Sequence, residues 1–149
     1  MIRQIELQIA SSQTDQPSRD QFEQWVGAAL NDYAHPAEVV IRIVDGDESR
    51  SLNQTYRNQN KPTNVLSFPF EAPPPVESDL LGDLVICEAI VFDEAAAQKK
   101  ALSAHWAHMV IHGTLHLLGY DHQDEVQAEE METLEIEVLA GLGYSNPYQ

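Results

Sequence analysis

Five of the six histidines in the 149-residue sequence fall within 18 consecutive positions: His105, His108, His112, His116 and His122. His112 and His116 are four residues apart in a stretch of helical composition, so their side chains should lie on one helix face, about 6 Å apart along the axis. Gly119 can take a positive φ and turn the chain back, which brings the imidazole of His122 to the same place. Three neutral imidazoles suit Zn²⁺ and leave one coordination position open. The spacing therefore predicts one reactive zinc ion held by His112, His116 and His122.

The spacing H-x-x-x-H-x-x-G-x-x-H is that of the metzincin zinc proteases, with one departure. Those proteases carry a Glu directly after the first His as general base, whereas this chain has Gly113. Zinc can bring the ionisation of water close to neutral pH without a protein base, so metal-dependent hydrolysis stays chemically feasible. We expect Gly113 to leave room beside the metal. A metalloprotease-like hydrolase is the less favoured alternative.

The histidines outside this triad carry weaker signals. His108 lies one helical turn before His112 and about 12 Å from His116, too far to share the same ion. We expect His105 and His108 to pack in the interior, with a contact behind the ligands or with substrate as the second hypothesis for His108. Asp121 either orients a ligand imidazole or caps the last helix, and the sequence favours neither.

The remaining patterns indicate which elements position these residues. Period-2 alternation or strand composition predicts strands near residues 5–9, 39–44, 65–68 and 84–87. Helical spacing and capping signals predict helices over about 18–31, from Asp47, and over about 88–100, 103–118 and 123–140. Prolines between the third and fourth strands predict a long surface loop. The order predicts a single α+β domain over residues 1–149, a small mixed sheet covered by helices.

Two helices carry explicit expectations about their buried sides. In the helix after Asp47, Leu52 and Tyr56 are predicted to point inward. In the last helix the predicted buried residues are Met131, Leu134, Val138 and Leu142, and the many acidic residues there are interpreted as a solvated face. An acidic docking surface is the alternative.

Composition restricts the partners and the compartment. The 24 acidic residues against 8 basic ones give a net charge of −16, which opposes nonspecific binding to nucleic acid or to anionic membranes. One cysteine, Cys87, fits a reducing compartment and a buried strand, and His35 is expected in an exposed loop. Neither a secretory leader nor a membrane-spanning stretch is visible. We expect a cytoplasmic protein without a membrane partner.

Three segments of the chain resemble the YbeY family of bacterial endoribonucleases. The first is the histidine run at 112–122 together with residues 104–108, the second is residues 55–70, and the third is residues 80–86. Together they cover most of residues 52 to 125 in the family's order.

The resemblance implies a zincin-like α+β fold and a zinc-dependent endoribonuclease selective for single-stranded RNA. It implies a role in maturation of the 3′ end of small-subunit rRNA and in ribosome quality control, with the small subunit or its assembly proteins as partners and no DNA. By motif, His112, His116 and His122 correspond to the metal ligands and Arg57 to the basic residue required for activity.

The chemistry of Arg57 agrees with that implication. A phosphodiester gains negative charge in its transition state, which a guanidinium beside the metal can stabilise. Lys61 is the second candidate, and a surface salt bridge is the structural alternative for Arg57. The net charge requires a small basic cleft or a protein partner to hold the RNA. A non-enzymatic assembly factor with a structural metal is the alternative function, and it would need a fourth protein ligand.

Overall fold

The computed structural model describes residues 3–13 and 16–149, and within them nine elements follow in the predicted order. The strands are β1 (Arg3–Ile9), β2 (Ala37–Val44), β3 (Val65–Pro69) and β4 (Leu80–Cys87). The helices are α1 (Arg19–Ala29), α2 (Gly46–Arg57), α3 (Glu88–Ala97), α4 (Leu102–Leu117) and α5 (Glu125–Gly141). None of these helices is both long and apolar enough to cross a membrane.

The strands form one mixed sheet in the order β1-β2-β4-β3. β1, β2 and β4 run parallel to one another. Helix α1 connects β1 to β2, and helix α2 follows β2 before the chain forms β3 and β4. β3 pairs antiparallel with β4 after the proline-containing loop and forms the edge of the sheet. The α+β class with a small mixed sheet covered by helices is thereby confirmed.

Each face of the sheet buries a separate apolar cluster. On the first face, strand residues such as Ile41, Leu84 and Ile86 pack with α1 and α4. On the second face, Val44, Leu66, Val85 and Cys87 pack with Leu52 of α2 and Ile90 of α3. Cys87 is buried and unpaired, as predicted. The histidine-bearing helix α4 therefore lies on the first face and α2 on the second.

Two glycines allow α4 and β3 to approach β4 closely. A Cβ atom on Gly113 of α4 would lie 2.8 Å from Leu84 Cδ2, and the Gly113 carbonyl accepts a hydrogen bond from Ser67 Oγ at 3.2 Å. Gly82 of β4 has φ +150°, and its Cβ would lie 2.3 Å from the Phe68 carbonyl oxygen. The expectation that Gly113 leaves room beside a metal is wrong, because strand residues fill that space. Gly113 instead seats α4 on the sheet.

The buried side of α2 matches the prediction at Leu52, which packs on the second face of the sheet, but not at Tyr56. Tyr56 is 65% exposed, and the buried residues of the helix are Ser49 and Asn53. Asn53 Nδ2 donates to the Lys61 carbonyl at 2.9 Å, and Ser49 Oγ accepts from the Thr63 backbone N–H at 2.9 Å. Part of the inner side of α2 is polar because Ser49 and Asn53 hold the following loop by hydrogen bonds, a use that apolar spacing does not reveal.

Two other helices also depart from their predicted limits or faces. α3 ends at Ala97, short of residue 100, because Lys99 takes a positive φ of 57°. In α5 the fully buried positions are Met131, Glu135 and Leu139, while the predicted Leu134, Val138 and Leu142 are half-buried. Compared with the prediction, the buried face of α5 is therefore shifted around the helix axis, and it includes the carboxylate of Glu135.

Candidate metal centre

The end of α4 and the turn after it bring His112, His116 and His122 together. His112 and His116 lie one turn apart near the end of α4, and Gly119 then takes φ +102°. The ring centroids are 4.6 Å apart for His112 and His116, 5.1 Å for His116 and His122, and 5.8 Å for His112 and His122. One nitrogen from each ring lies within 4.8 Å of the other two. The three histidines of the predicted triad are therefore neighbours in space.

The geometry and protonation of these imidazoles fit a metal ion. His112 Nε2 and His116 Nε2 are 3.1 Å apart, whereas two ligands of a tetrahedral zinc lie about 3.4 Å apart at ordinary bond lengths. Burial lowers the pKa of His116, and the neighbouring His112 and His122 lower it further. A lowered pKa favours the neutral imidazole that binds metal ions. Within the described residues no Cys, Asp or Glu joins this group as a fourth ligand.

A buried carboxylate lies behind His112. Glu135 of α5 is fully buried, and its Oε1 atom is 2.8 Å from His112 Nδ1 and 2.8 Å from His108 Nε2. Its Oε2 atom accepts a hydrogen bond from the Tyr148 hydroxyl at 2.8 Å. Burial alone would raise the pKa of Glu135, but the hydrogen bonds and charges of His108 and His112 outweigh it and bring the pKa to about 2. Glu135 is therefore an ionised acceptor at the base of the histidine cluster.

The other histidines of the chain have separate environments. His108 is buried and contacts Glu135, so it lies behind the triad. His105 is buried and pairs with Glu94 Oε1 at 2.9 Å. His35 is exposed, as predicted.

Asp121 lies next to the triad but does not cap α5. Its Oδ1 atom accepts a hydrogen bond from the His122 backbone N–H at 2.8 Å. The N-cap of α5 is Asp124, whose side chain accepts from the Gln127 backbone N–H at 2.8 Å. The capping hypothesis for Asp121 is therefore wrong, because the N-cap position lies three residues later.

Arg57 and Lys61 flank the end of α2, and both are exposed. Within residues 3–13 and 16–149, the Arg57 side chain makes neither a salt bridge nor a hydrogen bond. The surface salt bridge considered for Arg57 is thus absent from the described part of the chain. Its guanidinium is available to an external anion.

The edge strand β3 links the end of α2 to the histidine helix. The rings of Tyr56 and Phe68 meet edge to face with centroids 5.1 Å apart on the second face. Ser67, the adjacent residue of β3, contacts Gly113 on the first face. Arg57 follows Tyr56 in α2, and His112 precedes Gly113 in α4. The two helices that carry Arg57 and His112 therefore both contact the edge strand β3.

Sequence reasoning missed Glu135 and Tyr148. A signal for Glu135 was available, since an acidic residue stands midway between the buried Met131 and Leu139 at four-residue spacing. Tyr148 carries no such signal, because its contact with Glu135 depends on how the last residues fold back along α5.

Two comparisons with known proteins show what the chain is similar to. The family model described as Endoribonuclease YbeY matches residues 5–143. The solution structure of TM1509 from Thermotoga maritima is similar, with 25% sequence identity and a TM-score of 0.59, covering 96% of this chain and 99% of that one. Because the family match spans all nine elements but the first residues of β1, the chain belongs to the YbeY family of endoribonucleases.

Proposed function

We propose that this protein is a zinc-dependent endoribonuclease that cuts single-stranded RNA. Its proposed task is maturation of the 3′ end of small-subunit rRNA, together with ribosome quality control, and the whole chain of 149 residues would serve as one catalytic domain in a zincin-like arrangement. The observation that carries the proposal is a cluster of three imidazoles with no fourth ligand among the described residues, in a chain of an endoribonuclease family.

His112, His116 and His122 would hold one zinc ion. When bound, zinc supplies Lewis acidity toward a phosphodiester and ionises water near neutral pH. The fold contributes the placement of the imidazoles. His112 and His116 are half-buried on a rigid helix, while the exposed His122 lies on the solvent side, where a substrate can enter. Asp121 adds negative charge beside the triad and helps to order the His122 backbone.

Arg57 is proposed to stabilise the negative charge that develops on the phosphoryl group. Its guanidinium has no protein partner in the described chain, and the preceding Tyr56 contacts Phe68 of β3, the strand whose Ser67 contacts α4. A guanidinium can donate two parallel hydrogen bonds to phosphate oxygens, which an ammonium cannot. Lys61, on the loop held by Asn53, is the second cation near this edge.

The charge of the protein makes a partner part of the proposal. A net charge of −16 gives little nonspecific affinity for RNA. We therefore propose that the small ribosomal subunit, or a protein that assembles it, brings the enzyme to its substrate in the cytoplasm. The single cysteine, buried and unpaired, fits that reducing compartment, and DNA is not an expected substrate.

Two alternatives have less support. A structural zinc in a non-enzymatic assembly factor is normally enclosed by four protein ligands, whereas residues 3–13 and 16–149 offer three at this site. A metalloprotease would need a base at position 113, where even a Cβ atom would crowd Leu84.

Metal-dependent cleavage compared between two histidine variants tests the proposal. His116→Ala removes a proposed ligand, and His35→Ala is the matched control because His35 is exposed in a loop. We expect His116→Ala to lose zinc and cleavage of single-stranded RNA, and His35→Ala to keep both. Neither protein, nor wild type, should digest casein. Full RNase activity in zinc-free His116→Ala would refute the proposal.

A further inference from the structure

We infer that Glu135 is a positioning residue that orients the His112 imidazole toward the metal by accepting a hydrogen bond at Nδ1. The inference rests on the proposed metal site and deepens it. It assigns a role to a fully buried carboxylate on α5, 23 residues from His112 in sequence.

The hydrogen bond determines which nitrogen of His112 is free. A carboxylate oxygen only accepts hydrogen bonds, so the 2.8 Å contact from His112 Nδ1 to Glu135 Oε1 places a proton on Nδ1. In the neutral ring Nε2 then carries a lone pair. That atom lies 3.1 Å from His116 Nε2, on the side where the three imidazoles converge. Glu135 therefore sets both the tautomer and the ring orientation of a proposed ligand.

Two further contacts hold Glu135 itself in place. His108 Nε2 lies 2.8 Å from the same Oε1 atom, and the Tyr148 hydroxyl donates to Oε2 at 2.8 Å. Tyr148 also lies 3.3 Å from His108 Nε2. A buried carboxylate is costly unless it is hydrogen-bonded, and these donors satisfy both of its oxygens. Because one donor contacts Oε1 and the other contacts Oε2, the orientation of the carboxylate group is also fixed.

The distances distinguish this cluster from a second metal site. His108, His112 and Glu135 offer one donor atom each within 4.8 Å of one another, which could hold an ion. However, both ring nitrogens lie 2.8 Å from the same oxygen, Oε1, and a carboxylate oxygen can accept hydrogen bonds from two N–H groups at this length. Oε2 is already bonded to Tyr148. Hydrogen bonding accounts for every one of these contacts.

The test compares zinc affinity in three variants, measured by competition with a chromophoric chelator. Glu135→Gln keeps the size of the side chain but removes its charge, Tyr148→Phe removes one support of the carboxylate, and Glu137→Gln is the control on the exposed side of the same helix. We expect the zinc dissociation constant to rise about 10- to 100-fold for Glu135→Gln, the usual effect of losing such a partner. It should rise in the same direction but less for Tyr148→Phe, and stay unchanged for Glu137→Gln.

Two more measurements separate positioning from a merely structural role. Thermal melting of the metal-free proteins reports stability, and the visible absorption spectrum of the cobalt-substituted proteins reports ligand geometry. An altered cobalt spectrum with weakened zinc binding in folded Glu135→Gln is the expected result. Unchanged affinity and spectrum, with or without a lower melting temperature, would overturn the inference. A fall from two bound zinc ions to one would overturn it in favour of a second metal site.

Cleavage of RNA is measured on the same preparations so that the two proposals can fail separately. Weakened zinc binding in Glu135→Gln supports the inference even if wild type cuts no RNA, which would refute only the proposed function. Unchanged binding in Glu135→Gln with an active, zinc-dependent wild type would refute only the role of Glu135.

Discussion

The three imidazoles of the candidate centre differ in how many contacts fix their positions. His112 is hydrogen-bonded to a buried carboxylate, and His116 lies on the same helix one turn later. His122 is exposed and depends on the turn at Gly119. Two ligands are thus preorganised by the core, and the third comes from a surface turn. Such a site can keep its shape on one side while the other side admits a substrate.

At the residue scale, Arg57 offers the sharpest test of the catalytic proposal. Arg57→Ala should lower the single-turnover rate of RNA cleavage at saturating RNA about 10²-fold or more, the scale for loss of one electrostatic donor. Arg57→Lys should recover only part of the rate. Zinc content and melting temperature should match wild type, because Arg57 is exposed and unpaired in the described chain.

Arg50→Ala is the matched control for Arg57→Ala, since Arg50 is an exposed arginine on the same helix. It should cut RNA at the wild-type rate. A wild-type rate in Arg57→Ala would remove Arg57 from the mechanism, and Lys61 would be the next cation to test.

Residue spacing predicted the three histidines of the site but not the residues that contact them. His112, His116 and His122 are close in sequence, so helical periodicity and one glycine turn were enough to predict their convergence. Glu135 and Tyr148 reach the same place only through the packing of α5 and the last residues against α4. Local patterns do not encode contacts between distant segments, so the spacing that marks Glu135 as a buried position could not identify it as the partner of His112.

At the scale of elements, the close packing of α4 against the sheet determines where the histidines lie. Gly113→Ala should destabilise the protein by about 1–3 kcal/mol, the usual cost of overpacking, because the new Cβ would lie 2.8 Å from Leu84 Cδ2. Chemical denaturation measures this loss. Gly113→Glu, which restores the protease pattern, should be less stable still and should show no peptidase activity.

Gly27→Ala is the control for the glycine substitution at Gly113. Gly27 also lies in a helix, α1, but nothing is within 4 Å of a Cβ atom there. The same change should stabilise the protein by about 0.5–1 kcal/mol, since alanine favours helix more than glycine does. Equal effects at the two positions would show that close packing of α4 on β4 is not what requires Gly113.

Periodicity predicted the type and order of the elements better than their faces. Each strand and helix was found near its expected position, because apolar spacing and caps such as Ser18 act locally. The orientation of α2 and α5 was predicted less well. In α2 the inner residues bind a loop, and in α5 the buried stripe includes Glu135, so polar contacts with distant segments decide which side turns inward.

At the scale of the whole molecule, the net charge of −16 predicts how the enzyme meets RNA. Arg57 and Lys61 are the cations assigned to the proposed site, and both are exposed, so few phosphates can be neutralised there. For about two phosphate contacts, affinity for single-stranded RNA should fall less than about tenfold between 50 and 200 mM salt. Fluorescence anisotropy with a short RNA measures this slope. A loss of about 10³-fold would reveal an extended basic track and would contradict the proposed need for a partner.

Stepwise reconstitution of the metal-free protein tests the central claim most directly. Zinc is added in fractions of one equivalent, and bound metal and cleavage of single-stranded RNA are measured in the same samples. Because the three imidazoles form one site, we expect cleavage to rise in proportion to bound zinc and to saturate at one zinc per chain. Full cleavage before zinc is added, or none at one bound equivalent, would contradict the claim that His112, His116 and His122 hold the metal of an endoribonuclease.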